Sequence, residues 1–290
     1  MNTIVRRLWA IVWAAILALL VAGFASLVWG ALLIGNLTIS PTIPWSVVVM
    51  AAVLLLMWQY LGGRWTPRRT AEFRRTHLRA RLVSLRVFAW AWLVGALSLA
   101  GLVGLWIVLV ELTKVGGNPT IPTAPGVPLY TIALVLVMGS LVSSITEEFA
   151  FRGYAQVTLE RAFGGLVAVV ISSVFFMLYH GPTQGFAWPK LLFYFLVGVV
   201  FGTTAYLTKS ILPALPVHLA GDLIFFFLIW PNDAMRRYVW RDGADTWFWL
   251  YVTLTVVCAA LALLAFWQLA RSIHANEPST QPAILQIAHE

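Results

Sequence analysis

The chain has 290 residues, 61% of them hydrophobic and 10% charged, with a mean hydropathy of +0.86. A soluble domain carries about 25% charged residues, so this composition excludes a water-soluble globule; its long apolar runs specify an all-α, multi-pass membrane helix bundle instead. The net charge of +8 could suit nucleic acid, but eight arginines fall in the single connection 62–86, the pattern of a membrane-flanking loop and not of a nucleic-acid surface.

In chain order, eight transmembrane spans are expected at about 8–33, 44–62, 87–111, 128–150, 164–181, 191–208, 211–231 and 246–268, each near the length that crosses about 30 Å of hydrocarbon. The first is too long for a signal-peptide core, and no small-residue cleavage site follows it. Arg6 and Arg7 precede the first span and the arginine-rich loop follows the second, which places both on the cytoplasmic side. That loop is a candidate contact for anionic lipid, although a solvated topological signal is the simpler reading. With the loops 112–127 and 232–245 outside, both termini are expected in the cytoplasm. The chain thus divides into N-terminal membrane helices with the basic loop (1–127), a core (128–231), and a last helix with a polar tail (232–290). The tail, from Arg271, reads as disordered. Trp9, Trp45, Trp188, Trp230 and Trp247 sit near predicted span ends, where tryptophan forms interfacial belts. Cys258, the only cysteine, reads as a small core residue.

With the loops set aside, few ionisable residues remain at membrane depth: Glu147, Glu148 and Arg152 in the fourth span, His180 ending the fifth, and His218 and Asp222 in the seventh. Glu111 lies at a span end and reads as interfacial. Charged groups inside a membrane are costly, and their default reading is functional. Glu148 and Arg152 are four apart and face each other on a helix, so they read as a neutralising pair that supports the structure. Glu147 is turned about 100° away and has no such partner, which makes it the candidate general base. His218 and Asp222 are also four apart, and an Asp bound to one imidazole nitrogen fixes the tautomer of the other. This inventory can activate water and stabilise an oxyanion, as amide hydrolysis requires. The same Glu147, His180 and His218 equally suit a divalent metal such as zinc. No HExxH or GxSxG stretch occurs, which argues against a zincin or a serine-type protease.

EEFAFRG (Glu147 to Gly153), FMLYH (Phe176 to His180) and HLAGD (His218 to Asp222) resemble, in order and spacing, the EExxxR, FxxxH and HxxxN/D motifs of the CAAX prenyl endopeptidase and bacteriocin-processing (CPBP) intramembrane proteases. The resemblance covers about residues 128–231. It implies an endopeptidase acting in or near the bilayer on peptide or lipidated protein substrates, of prenylated CAAX type or bacteriocin type. It implies that Glu147 activates water with help from His180, while His218 and the residue at 222 stabilise the oxyanion. Asp stands at 222 where many relatives have Asn, so its oxyanion role requires a protonated acid, or is replaced by orienting His218.

Two other readings compete: a non-catalytic immunity or scaffold protein of the same fold, and a proton- or metal-coupled transporter. The intact polar set argues against the first, and the absence of such groups from the first three spans argues against the second. One difficulty stands out. On straight helices His180 lies about 24 Å into its span but His218 only about 13 Å into its own, so the two should sit at different depths. Either residues 153–170 project beyond the membrane or a helix is broken.

Overall fold

A membrane offers no water to unpaired backbone groups, so apolar segments of this length must close their hydrogen bonds within themselves, as helices. The computed structural model describes residues 3–118 and 126–274, and among them all regular structure is helical. In order these are α1 (Thr3–Ala18), α2 (Phe24–Ile39), α3 (Trp45–Leu61), α4 (Ala71–Leu78), α5 (Leu85–Thr113), α6 (Leu129–Glu147), α7 (Gln156–Phe163), α8 (Gly165–Gln184), α9 (Trp188–Thr208), α10 (Leu215–Ile224), α11 (Val239–Asp242) and α12 (Thr246–His274). The polar tail expected to be disordered from Arg271 instead begins as helix, since α12 runs to His274, and the rest of it lies outside the described residues.

Seven continuous helical segments are long and apolar enough to cross a membrane, and α3 is a shorter apolar helix of 17 residues. All eight expected segments are helical with altered ends, but seven and not eight are long enough to count as spans, the one expected at 44–62 being the shorter α3. The first runs through a π-helical turn at Leu19–Gly23 and extends over Thr3–Ile39. The fourth does not stop at residue 150. It passes through a π-helical stretch, Glu148–Ala155, into α7 and ends at Phe163. At 1.5 Å per residue its 35 residues reach about 52 Å, so α7 projects past the hydrocarbon. Gly164, with φ +82°, then turns the chain back into α8.

This extension accounts for most of the depth mismatch. From Glu147 the chain descends sixteen residues to Phe163, and α8 climbs fifteen from Gly165 to His180, about 24 Å against about 22 Å. Residues 209–214 form a turn and not a helix, and the side chain of Val217 packs against Gly95, ten residues into α5. Of the two resolutions, the length of the fourth helix favours the projecting one.

Small residues let the helices approach closely, as interhelical packing in lipid requires. A Cβ on Gly198 of α9 would lie 2.8 Å from Ser173 of α8, and one on Gly104 of α5 would lie 2.9 Å from the Tyr251 carbonyl of α12. Cys258 is half-buried and packs against Gly101 in the same α5–α12 contact.

The basic connection is not only a solvated signal. Arg74 on α4 is buried and donates to the carbonyls of Tyr60, Trp65 and Pro67, and Arg79 pairs with Glu160 of α7 at 2.5 Å. At the opposite end of the bundle, Glu111 is buried and not interfacial as expected, because α5 continues to Thr113. Trp230 is also no belt residue. It is half-buried and packs at tilted and edge-on angles against Phe225, Phe226 and Trp106. Beside it, buried Asp233 accepts from Trp106 Nε1 (2.9 Å), Gly117 N (3.0 Å) and Arg236 Nε (3.0 Å), tying the connection after α5 to the end of the seventh span. Asp233→Ala strands these donors and is expected to cost about 3 kcal/mol, read as a lower Tm in detergent.

Candidate active site

Glu147 closes α6, and the π-helical turns begin at the next residue. π turns inside α-helices concentrate at functional sites because they re-aim side chains. Here neighbouring carboxylates that a straight helix would splay apart both reach one imidazole. His218 Nδ1 donates to Glu148 Oε1 at 3.0 Å, and His218 Nε2 lies 3.6 Å from Glu147 Oε2. His180 approaches Glu147 from the other side, its Nε2 3.7 Å from Oε1. Ser143, one turn before Glu147, donates to Oε1 at 3.0 Å.

Hydrogen-bond partners settle the tautomers. A carbonyl or carboxylate oxygen can only accept, so the nitrogen that faces it carries the proton. His180 Nδ1 donates to the Phe176 carbonyl at 2.8 Å, and His218 Nδ1 donates to Glu148, so in the neutral rings both Nε2 atoms present a lone pair toward Glu147. Glu148 is in turn paired with Arg152 at 3.5 Å, and both are essentially without solvent exposure. The Arg152 guanidinium lies 4.1 Å from the Phe176 ring centroid and 5.4 Å from that of Phe201. Burial between two aromatic faces explains how a guanidinium is tolerated here.

The expected Glu148–Arg152 pair is thus present, and Glu147 stands apart from it. The orienting role expected of Asp222 falls elsewhere. Asp222 lies 3.8 Å from Nε2 of His218, on the side of Glu147, and the group that holds Nδ1 is Glu148. An i,i+4 spacing puts Asp222 on the right face but does not say which ring edge it meets, and a partner seventy residues away in sequence is invisible to that reasoning.

Rings hold both imidazoles in plane. Tyr194 stacks on His180 with centroids 4.0 Å apart, and Phe201 stacks on His218 at 4.7 Å. Neither residue carries a sequence signal that separates it from its apolar neighbours in α9. Ser143 does carry one, its position four before Glu147.

Glu147, His180, His218 and Asp222 line a cavity of about 900 Å³ whose remaining walls, from α1, α2, α5, α6, α8 and α9, are mostly apolar. Among the described residues, Glu147 Oε2, Asp222 Oδ2 and the Tyr194 hydroxyl are buried there without a hydrogen-bond partner. Among the described residues no group of three or more His, Cys, Asp or Glu is arranged as a metal-ligand cluster, and each imidazole faces a different oxygen of Glu147.

Residues 129–224 match the model of a protein family described as type II CAAX prenyl endopeptidase Rce1-like. No curated protein and no solved structure matches the chain. The matched segment runs from α6 through α10 and contains Glu147, Glu148, Arg152, His180, His218 and Asp222, while the cavity walls from α1, α2 and α5 lie outside it. Over this segment the chain is similar to that family, and its seven helices long and apolar enough to cross a membrane make it an integral membrane protein.

Proposed function

We propose that this protein hydrolyses peptide bonds within the bilayer by a glutamate-based mechanism, with Glu147 as the base. The observation that carries the reading is the placing of one carboxylate between two imidazoles on the wall of a large apolar cavity. An apolar cavity with a few convergent polar groups is what an apolar or lipidated peptide requires.

In this mechanism Glu147 takes a proton from a water molecule as its oxygen attacks the scissile carbonyl carbon. His180 accepts the second proton of that water as a hydrogen bond at its Nε2 lone pair and so orients the attack. His218 has three carboxylates within 4 Å, Glu147, Glu148 and Asp222, and as an imidazolium it carries a proton on each ring nitrogen. Its Nε2–H then faces the reacting centre and stabilises the oxyanion of the tetrahedral intermediate. Collapse breaks the C–N bond, and Glu147 returns its proton to the leaving amine. No step passes through a metal.

Asp222 is the member whose chemistry fits least well, because an ionised carboxylate repels an oxyanion. Asp222→Asn supplies an N–H donor at the same place and is expected to keep or raise kcat, whereas Asp222→Leu lowers it by about tenfold. The deciding experiment is incubation of the purified protein with farnesylated and unlipidated CAAX peptides, with and without a chelator, and product masses read directly. Cleavage that survives the chelator supports the glutamate mechanism. Loss of cleavage with chelator, restored by zinc, would replace it with metal chemistry, and failure to cleave any peptide would remove the enzymatic reading.

A further inference from the structure

A second cavity, of about 370 Å³, lies between the N-terminal turns of α1 and the surface of α7, lined by Thr3, Arg6, Arg7, Thr158 and Arg161. The small side chains of Ala10 and Ala162 complete the lining, and no carboxylate takes part. We propose that this concavity binds a phosphate-bearing anion, at a site separate from the one around Glu147.

Packing α1 against α7 brings three like charges to one concavity, which costs free energy unless an anion shares it. The nearest acid in sequence, Glu160, is already engaged by Arg79 at 2.5 Å and Lys209 at 3.4 Å. Among the described residues, Arg6, Arg7 and Arg161 form no ion pair, and Arg7 is steadied by the Phe163 ring, 5.6 Å from its guanidinium. Guanidinium forks match phosphate oxygens two at a time, and the Thr3 hydroxyl can add a donor. Arg64, Arg68 and Arg69 of the basic connection are as charged and as exposed as Arg6, Arg7 and Arg161, but lie outside this concavity.

The depth of the site says where the phosphate comes from. Phe163 is sixteen residues beyond Glu147, about 24 Å along the helix, so α7 reaches the level of lipid headgroups. Basic pockets between helices at that level select anionic headgroups. A free phosphate has the same chemistry, and the experiment separates the two sources.

Full-length protein in detergent is titrated with short-chain phosphatidylglycerol, with the matching phosphatidylcholine and with inorganic phosphate, reading Tm and retained mass by native mass spectrometry. The anionic lipid is expected to raise Tm and stay bound. Arg161→Gln is expected to weaken it about fivefold, and Arg68→Gln, which removes the same charge, to leave it unchanged. Arg6→Gln, on the other wall, gives the same reading should the α7 variant fail to fold. Stabilisation by inorganic phosphate, with the same dependence on Arg161 and no preference for the lipid, would keep the site and assign it to a soluble anion. Equal weakening by Arg161→Gln and Arg68→Gln, or no binding of either anion to the wild type, would overturn the proposal.

Discussion

Glu147→Gln is expected to lower kcat on a quenched farnesylated CAAX peptide by about a thousandfold, with Tm close to that of the wild type. The substitution keeps the size of the side chain, and its amide oxygen can still accept from Ser143, which donates to Oε1 at 3.0 Å. What it removes is the capacity to take a proton from water, a contribution of about a hundred- to ten-thousandfold in general-base catalysis. KM should change little, because the apolar walls that bind substrate are untouched. Glu147→Asp tests the geometry behind the claim. It retains the base but withdraws the carboxylate by one methylene from two imidazoles already 3.6 and 3.7 Å away, and should keep a small part of the activity. A glutamine variant retaining more than a tenth of wild-type kcat would remove Glu147 from the chemistry, whatever the distances.

The architecture was legible in the sequence because a membrane simplifies the problem. Backbone groups must pair within each helix, so hydropathy and length locate the spans, and all eight expected segments are helices. The end of the fourth was misread for a physical reason. Hydropathy falls off after Gly153, yet α7 continues because Gln156 donates to the Gly202 carbonyl of α9 and to Glu160, contacts that no hydropathy window contains. The polar residues of the site were legible for the opposite reason: in a chain with so few charges, each intramembrane carboxylate or imidazole stands out. What could not be read was their mutual arrangement. Glu148 was paired correctly with Arg152 by spacing, but its second partner, His218, comes from α10, and the bond depends on the π turn that starts at Glu148. Tyr194 and Phe201, which stack on the two imidazoles, are indistinguishable in sequence from other apolar residues of α9.

That arrangement makes Arg152 the position of largest expected effect on stability. Arg152→Met removes the guanidinium from beside Glu148, whose side chain has no solvent exposure, and leaves a buried carboxylate with His218 as its only counter-charge among the described residues. Breaking a buried pair in this way costs about 3–5 kcal/mol, because the remaining charge has lost its partner but not its desolvation. The double variant Glu148→Gln/Arg152→Met removes both charges, and methionine can fill the space between Phe176 and Phe201. Stability should then return to within about 1–2 kcal/mol of the wild type, since a buried ion pair and a neutral replacement are often equivalent. Activity should not return with it. The glutamine oxygen can still accept from His218 Nδ1 and keep the tautomer, but it no longer offsets an imidazolium charge, so kcat should stay lower by about tenfold to a hundredfold. Measuring Tm and kcat on the single and double variants separates the two contributions. Recovery of both together would mean that the Glu148–Arg152 pair only holds the helix. Recovery of stability alone would mean that the charge of Glu148 is used by His218, and that a pair of residues costly to bury is kept for the imidazole it serves.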